Sequence, residues 1–241
     1  MTLDDILASL FLEGHDIRNN DGLLLGSGPL KGGGRAEVIG VADRTAVGVD
    51  DAIRLSGQVL AALERGGDGP ILVLVDSDSQ RMSKRDELLG LNEFLAHLAK
   101  CLIYADMQGR HTVGLLYGHT AAGAFIATAL ATRTLVALPG AEPEVMDLPS
   151  MSKVTKLSIE VLKEKAKSTP VFAPGLDNLA QTGAVLATWD EKISLADQLQ
   201  ALLGNDRQGG DQRDRLGKAR GGRPKAADMA ERVYDLALQP E

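Results

Sequence analysis

Pro70-Ile-Leu-Val-Leu-Val-Asp76 is the stretch of this sequence that decides the fold, and it opens a block that ends at Pro139. An apolar, β-branched run that begins at a proline and ends in polar residues predicts a buried strand, and we expect residues 77–80 to form a polar loop. A second such run, Thr112-Val-Gly-Leu-Leu-Tyr117, leads directly into Gly118-His-Thr-Ala-Ala-Gly-Ala124. The block therefore predicts two units in which a buried strand is followed by a turn and then a helix.

Helical patterns alternate with these strands over most of the chain. Apolar residues at helical spacing predict helices that follow a cap at Asp50 or Asp51, run from Ser83 to Gly109, and cover about 120 to 131. Glycine-punctuated apolar runs between Gly22 and Asp43 predict a pair of strands. Strands that alternate with helices are typical of parallel sheets with helical crossovers, so the sequence predicts an α/β fold.

The second half of the chain contains further helical patterns and one more short strand. We expect a helix from Ser150 or Ser152 through Ala166, a strand at Ala184–Thr188, and helices at Ser194–Leu203 and Ala226–Leu238. Past Gly204 the composition shifts to Gly, Asp, Gln, Arg and Lys, which is typical of a flexible link. The sequence therefore predicts one domain over residues 1–204, followed over 205–241 by a basic linker and a C-terminal helix.

The composition excludes several classes of function. The chain has 241 residues, a net charge of −7 and only 3% aromatic residues, which argues against nucleic-acid binding. Its single cysteine cannot form an internal disulfide and suits a reducing compartment. Apolar runs are shorter than the ~20 residues that span a bilayer, and the N-terminus is acidic, unlike a signal peptide. We therefore expect a cytoplasmic protein with no membrane association.

Two familiar kinds of site do not match the sequence. The glycines between Gly26 and Gly34 are interrupted by Pro29 and open no helix, so a dinucleotide fingerprint fails and turn chemistry is the better interpretation. The histidines His15, His97, His111 and His119 are scattered, and none belongs to a known metal-binding spacing. We expect no metal held by this chain.

The turn from Gly118 to Ala124 allows two interpretations. In the first, small residues only let a helix capped by Thr120 pack closely on the sheet. In the second, the backbone N–H groups of Ala122, Gly123 and Ala124 bind negative charge, because small side chains leave them accessible at a helix start. The residues alone do not decide between packing and anion binding.

Several motifs together resemble a known superfamily. They are Asp76 with its polar loop, Arg85-Asp-Glu-Leu-Leu, Gly118-x-x-x-x-Gly-Ala-Phe125 and Leu135-Val-Ala-Leu-Pro139. These look like the crotonase superfamily, and more narrowly like the carboxyltransferase half of acetyl-CoA carboxylases. With the glycine-rich runs at 22–28, 32–43 and 221–224, the resemblance extends over nearly all of the chain and is greatest to gamma subunits of biotin-independent malonate decarboxylases.

The resemblance implies a fold, a reaction and a set of partners. The fold would be a crotonase-like ββα superhelix with a C-terminal helical extension. A crotonase-like beta subunit would complete the decarboxylase site, and an acyl carrier protein subunit and a transferase subunit would join the complex. The substrate would be a malonyl thioester on the coenzyme A-derived prosthetic group of the carrier, and the products acetyl thioester and carbon dioxide. The chain itself would bind no cofactor and need neither biotin nor metal.

The resemblance also implies site residues. Backbone groups of Gly118, Ala122, Gly123 and Ala124 would be catalytic, and Gln80, Arg85, His119 and Thr120 would bind substrate. Arg81 and Lys84 are further candidates for the malonyl carboxylate, unless this helix start is simply solvated. The sequence does not identify the proton donor to the enolate, for which the candidates are Glu142, Glu144, Asp147 and His119.

This sequence departs from the carboxyltransferase pattern in two places. Asp76-Ser-Asp-Ser79 replaces Asp-Thr-Pro-Gly, and Ala121-Ala-Gly-Ala124 replaces Gly-Ser-Gly-Gly, which leaves amides present but less room around them. A peptidase of the same fold would need a serine where this chain has Ala121, so the nucleophile is missing. A non-catalytic scaffold that supports the beta subunit remains the alternative.

Two groups of basic residues are either solvated faces or contacts to an acidic carrier or its phosphates. They are Lys153, Lys156, Lys163, Lys165 and Lys167, and Arg215, Lys218, Arg220, Arg223 and Lys225.

Overall fold

A seven-stranded sheet forms the centre of the protein in a computed structural model that describes residues 1–168, 170, 173–205 and 211–239. Its strand order is β1-β2-β3-β4-β5-β7-β9, and β6 and β8 form a separate two-stranded parallel sheet. The strands are β1 (Arg18–Asn20), β2 (Leu23–Pro29), β3 (Arg35–Val47), β4 (Ile71–Gln80), β5 (Thr112–Leu116), β6 (His119–Ala121), β7 (Thr134–Ala137), β8 (Glu142–Glu144) and β9 (Ala187–Thr188).

Helices connect the strands and cover both faces of the sheet. They are α1 (Leu3–Leu10), α2 (Val49–Arg65), α3 (Lys84–Leu89), α4 (Leu91–Met107), α5 (Ala122–Ala127), α6 (Leu148–Thr155), α7 (Ile159–Ser168), α8 (Leu176–Gln181), α9 (Leu195–Asn205), α10 (Arg213–Ala219) and α11 (Ala226–Ala237). The first three strands pair antiparallel, and β3, β4, β5, β7 and β9 pair parallel. The alternation of strands and helices therefore gives the predicted α/β fold.

Two hydrophobic cores lie on opposite faces of the sheet, because the side chains of a strand alternate between its faces. Val73 and Val75 of β4 face the core formed with α2, α4 and α5. Leu72 and Leu74 face the core formed with α1, α9 and Trp189. Both sets are at most 3% exposed, which explains why the sequence of β4 is apolar at every position from Ile71 to Val75.

The structure extends one predicted strand and divides two predicted helices. Residues 77–80 do not form a loop but continue β4, since Ser77 pairs with Thr45 and Gln80 with Val47 of β3. Ser83 caps a helix as predicted, but Gly90 adopts a left-handed conformation, φ 79°, and separates α3 from α4. The helix expected between residue 150 and Ala166 begins instead after a cap at Asp147 and is interrupted between α6 and α7.

Three further boundaries differ from the sequence prediction. The helix expected over about 120–131 is divided into the six residues of α5 and a 3-10 turn at Ala129–Ala131. The cap of α5 is Ala121, without any side-chain cap from Thr120. The strand expected at Ala184–Thr188 shortens to β9. In the basic segment, residues 206–210 lie outside the described residues, while α10 is a helix that the sequence pattern did not indicate.

The segment from α10 to residue 223 packs against the main body. Arg220 donates hydrogen bonds of 2.7 Å to the carbonyl oxygens of Ala180, Val185 and Leu186. Arg213 reaches the carbonyl of Leu130 at 2.9 Å. Arg220 therefore has a structural role, and the division into domains at residue 204 stays a prediction from composition.

Candidate functional site

Three hydrogen bonds join the end of β4 to the turn that contains β6 and the start of α5. The backbone N–H of His119 donates to Oδ1 of Asp76 at 3.0 Å, and the hydroxyls of Ser77 and Thr120 lie 2.7 Å apart. The backbone N–H of Gly123 donates to Oε1 of Gln80 at 2.8 Å. Each pair is separated by 43 residues, so the two segments run side by side in register. Polar side chains of β4 thus fix the turn that the sequence singles out.

The close approach of these segments explains the glycine at position 118. A Cβ atom at Gly118 would lie 2.3 Å from Oδ1 of Asp76, the oxygen that accepts the His119 N–H. The carbonyl of Gly118 also accepts a hydrogen bond of 3.0 Å from the backbone N–H of Glu142. The backbone around Gly118 therefore positions β6 between β4 and β8.

The start of α5 has an unusual backbone conformation. Ala122 has a positive φ of 48°, a conformation that residues with a Cβ atom rarely adopt. It directly precedes Gly123, whose N–H points at the carboxamide of Gln80. A helix of six residues has only a small dipole. The direct hydrogen bond is therefore the stronger argument that the Gly123 N–H can bind an acceptor oxygen.

The structure separates the small residues into two groups. Ala122 and Gly123 are partly exposed, whereas Ala124 and Thr120 are both fully buried at 0%. The hydroxyl of Thr120 is used by Ser77, its partner in the core. In this conformation neither Ala124 nor Thr120 is accessible to a substrate. Of the three predicted backbone donors, Ala122 and Gly123 therefore remain as candidates.

The basic residues that follow β4 are mostly paired with acids. Arg85 donates to both carboxylate oxygens of Asp50, at 2.7 and 3.1 Å, which raises the pKa of the guanidinium. Arg81 forms an ion pair of 2.6 Å with Asp51. Lys84 is exposed and has no ion pair within the described residues. Of Arg81, Lys84 and Arg85, it is therefore Lys84, and not the predicted Arg85, whose charge has no ion pair within the described residues.

Glu144 lies beside the same turn and was only one of several candidates in the sequence. The register of β6 and β8 places it opposite Ala121, and His119 opposite Glu142. Burial raises the pKa of the Glu144 carboxyl, and like charge from Asp147 and Glu142 adds to the rise, while His119 opposes it. The sequence held no signal for this, since the pairing of two three-residue strands is set by tertiary structure.

Exposed apolar side chains surround this edge of the sheet. Met82 and Leu88, which follow β4, are 77% and 78% exposed, and Ile126 of α5 is 49% exposed. Val145 and Met146, directly after β8, are 46% and 38% exposed. These side chains follow β4, lie on α5 or follow β8, so exposed apolar residues occur next to the elements that form the turn.

The described ranges contain neither a grouping of metal-binding side chains nor a helix that could span a membrane. Over residues 1–168, 170, 173–205 and 211–239, no three His, Cys, Asp or Glu residues come together in a way that could hold a metal ion. Within the same ranges, each helix is too short or too polar to cross a bilayer.

Solved structures with the same fold include several malonate decarboxylase chains. A chain of a Pseudomonas malonate decarboxylase hetero-tetramer in complex with coenzyme A is 26% identical, with a TM-score of 0.75 and 97% of both chains covered. A chain of the Pseudomonas MdcD-MdcE hetero-dimer has a TM-score of 0.73 at 23% identity, over 97% of this chain and 98% of that one. Transcarboxylase 12S has a TM-score of 0.67 at 14% identity, over 86% of this chain and 42% of that chain. These neighbours confirm the expected crotonase-like fold.

Sequence comparisons agree with the structural ones. The malonyl-S-ACP:biotin-protein carboxyltransferase MADD of Malonomonas rubra is 30% identical over 148 residues, which are 58% of this chain. The chain spans about half the length of that relative, 51%. The family model described as malonate decarboxylase gamma subunit matches residues 42–237. This match covers well over half of the sequence, and the chain therefore belongs to the malonate decarboxylase gamma subunit family.

Proposed function

We propose that this chain and a beta subunit together decarboxylate malonyl-S-acyl carrier protein to acetyl-S-acyl carrier protein and carbon dioxide. The observation that carries the proposal is the hydrogen bond of 2.8 Å that the Gly123 N–H donates to an oxygen. Two further hydrogen bonds to β4 hold the same turn in place. Membership of the family supports the proposed reaction, and the hydrogen bonds of the turn support the choice of Gly123 as a donor.

The reaction needs a donor of this kind. When the bond between Cα and the carboxylate breaks, its electron pair moves toward the thioester carbonyl and forms an enolate. Backbone N–H groups that are already oriented stabilise that charge more than they stabilise the ground state, which lowers the barrier. Gly123, with Ala122 beside it, is the proposed donor pair, and the backbone of Gly118 positions the turn.

Gln80 is the residue that substrate must displace. Its Oε1 occupies the position in front of the Gly123 N–H that the thioester oxygen would take. Once displaced, the carboxamide can donate a hydrogen bond from Nε2 to the substrate, which gives Gln80 the substrate-binding role. His119, which is partly exposed in the same turn, is the second proposed substrate-binding residue.

Lys84 is the proposed contact for the malonyl carboxylate. It is the first residue of α3, four positions after the end of β4, and has no ion pair within the described residues, whereas Arg85 is paired with Asp50. Arg85 would contribute only long-range attraction, because its charge is largely compensated and exposed to solvent.

The exposed apolar residues around the site support the proposed partner. A crotonase-like beta subunit that covers Met82, Leu88 and Ile126 would close the site and exclude water from the carboxylate. The carrier protein would deliver the thioester, and a transferase subunit would load it. The reaction as proposed takes place in the cytoplasm, with the carrier's prosthetic group as the only cofactor.

A scaffold role is the second candidate, and one observation favours it. The Gly123 N–H is already bonded to Gln80, so the turn is also complete as a purely structural unit. A peptidase is not supported, since Ala121 offers no nucleophile and the Thr120 hydroxyl is buried against Ser77.

Reconstitution tests the proposal. The chain is co-purified with a malonate decarboxylase beta subunit, and carbon dioxide release from malonyl-S-acyl carrier protein is measured for the complex and for each subunit alone. We expect turnover only in the complex. Full activity of the beta subunit alone would exclude a catalytic contribution, and peptide cleavage by this chain would restore the peptidase.

A further inference from the structure

Glu144 is placed on the same face of a small sheet as His119. In the parallel pair of β6 and β8, His119 lies opposite Glu142 and Ala121 lies opposite Glu144. Side chains two residues apart on a strand share a face, so His119, Ala121, Glu142 and Glu144 all project to one side. Ala121, which pairs with Glu144, contributes only a methyl group to this face.

The Glu144 carboxyl is partly buried and yet has no partner. No hydrogen bond or ion pair joins its side chain to another group in the described parts of the chain, so its carboxylate oxygens are those of a partly buried group that still reaches solvent. Several other acids of the chain cap helices: Asp147 accepts a hydrogen bond at the start of α6, and Asp86 and Asp51 accept hydrogen bonds at the starts of α3 and α2. A half-buried carboxyl that stabilises no element of the fold points to a chemical role.

The groups around Glu144 favour its protonated form. Burial and the charges of Glu142 and Asp147 raise the pKa of this carboxyl, and His119 on β6 acts in the other direction. Two helices also pack against β8: α5 carries no charged residue, and α8 carries Asp177. The raised pKa suits an acid that must hold a proton near neutral pH.

We infer that Glu144 is the proton donor that converts the enolate into the acetyl thioester, with His119 beside it as the route by which solvent protons return. This inference rests on the proposed function. Ala121, which pairs with Glu144, is followed directly in the chain by Ala122 and Gly123, so Glu144 lies on the strand next to the turn that carries the proposed backbone donors.

The step balances without another reactant. The bond between Cα and the carboxylate breaks, carbon dioxide leaves, and the electron pair remains on the enolate. The Glu144 carboxylic acid then gives its proton to Cα, a carbon–hydrogen bond forms, and Glu144 is left as a carboxylate. A proton from solvent, passed through His119, restores the acid.

The pH dependence of acetyl thioester formation by the reconstituted complex tests the donor. In the wild type, kcat should fall as pH rises through the pKa of Glu144, because only the protonated form can donate. Glu144→Gln should lower kcat by about 10² or more and abolish that pH-dependent fall. Glu142→Gln is the matched control, since Glu142 is two residues away on the same strand face; it should change kcat by less than about threefold and keep the pH-dependent fall.

Glu144→Asp protects the test against loss of folding. This variant keeps a carboxyl on a shorter side chain, so it should retain the pH-dependent fall at a lower kcat. An assembled Glu144→Gln complex with wild-type kcat and an unchanged pH profile would overturn the inference, as would a Glu144→Asp complex without any pH-dependent fall. A wild-type complex that forms no acetyl thioester would remove the proposed function and this donor together.

Discussion

A side chain added at Gly123 would meet Gln80 first, because a Cβ atom there would lie 3.0 Å from Oε1 of Gln80 and 3.1 Å from Cδ1 of Leu95. Replacement of Gly123 by valine therefore disturbs the core and the Gln80 contact together, and it cannot separate catalysis from packing. Variants of Gln80 itself separate the two accounts, because they change the acceptor and leave the backbone donor intact.

Gln80→Glu and Gln80→Met should change the activity in one order if the Gly123 N–H binds substrate, and in the reverse order if the turn is only structural. A carboxylate binds the Gly123 N–H more strongly than a carboxamide does and competes with the substrate oxygen, whereas methionine leaves the donor free. We expect kcat/KM of the assembled complex to be at least about 10-fold lower for Glu than for Met, a difference of about 1.4 kcal/mol.

A purely structural turn would give the reverse result. Glutamate would then preserve the hydrogen bond to Gly123 and keep activity, while methionine would lose it. Thermal melting of both variants, measured with the kinetics, shows whether stability follows the same order as activity.

The buried Ser77–Thr120 pair should show strong coupling in a double-mutant cycle. Thr120→Val keeps the volume but leaves the Ser77 hydroxyl without its 2.7 Å partner, so we expect a loss of about 1–3 kcal/mol in the free energy of unfolding. Ser77→Ala combined with Thr120→Val removes both polar groups and should recover most of this loss. Urea unfolding measures Thr120→Val, Ser77→Ala and the double variant, and strictly additive losses would show that the two hydroxyls do not interact.

Asp86 should stabilise the protein above its lowered pKa. Its carboxylate accepts from the Ser83 hydroxyl at 2.6 Å and from the Val49 N–H at 3.0 Å, and these bonds hold the pKa of Asp86 below its usual value of 3.8. Asp86→Asn should therefore cost about 2–3 kcal/mol near pH 7. Because the folded state favours the ionised form, this difference should shrink as pH falls below 3.8 and through the lowered pKa.

The matched control for Asp86 is Asp50, an exposed acid that pairs with Arg85 on the surface. Asp50→Asn should cost less than about 1 kcal/mol at pH 7. Urea unfolding at neutral and acidic pH checks both variants, and an Asp86→Asn cost that does not change with pH would contradict the assignment.

The exposed leucine of α3 should contact the beta subunit. Leu88 is 78% exposed and follows β4 at the site edge of the sheet, whereas Met107 is 75% exposed and precedes β5 at the opposite edge. We expect Leu88→Glu to weaken co-elution with the beta subunit by at least about 10-fold, since a buried charge would be left unpaired. Met107→Glu should leave co-elution unchanged, and equal effects of the two substitutions would remove this surface from the proposed interface.

Much of the fold could be predicted from the sequence because local patterns determine it. The apolar run of β4 and the Ser83 cap are signals carried by neighbouring residues, and both are found where predicted. The break at Gly90 was missed, since the helical spacing of leucines continues through it and the left-handed glycine interrupts only the backbone. The extension of β4 over residues 77–80 was missed because these residues are polar, and only their pairing with β3 makes them a strand.

The site was predictable in location but less so in its contacts. Small residues after a buried strand indicated the turn at Gly118–Ala124, and the resemblance indicated its chemistry. Three contacts of the site join residues that are distant in sequence. Gln80 accepts the hydrogen bond of the Gly123 N–H, Asp50 pairs with Arg85, and Ala121 lies opposite Glu144. Such contacts follow from the strand register, which periodicity does not specify.

The central claim, that the Gly123 N–H stabilises the enolate, is tested most directly by replacing this single amide with an ester. The substitution removes the N–H and adds no side chain, and an ester at Ile126 in the same helix is the control for lost helical bonding. We predict that the Gly123 ester lowers kcat for acetyl thioester formation by about 10²–10³ in an assembled complex, while the Ile126 ester has little effect. An assembled complex whose kcat is unchanged by the Gly123 ester would contradict the account.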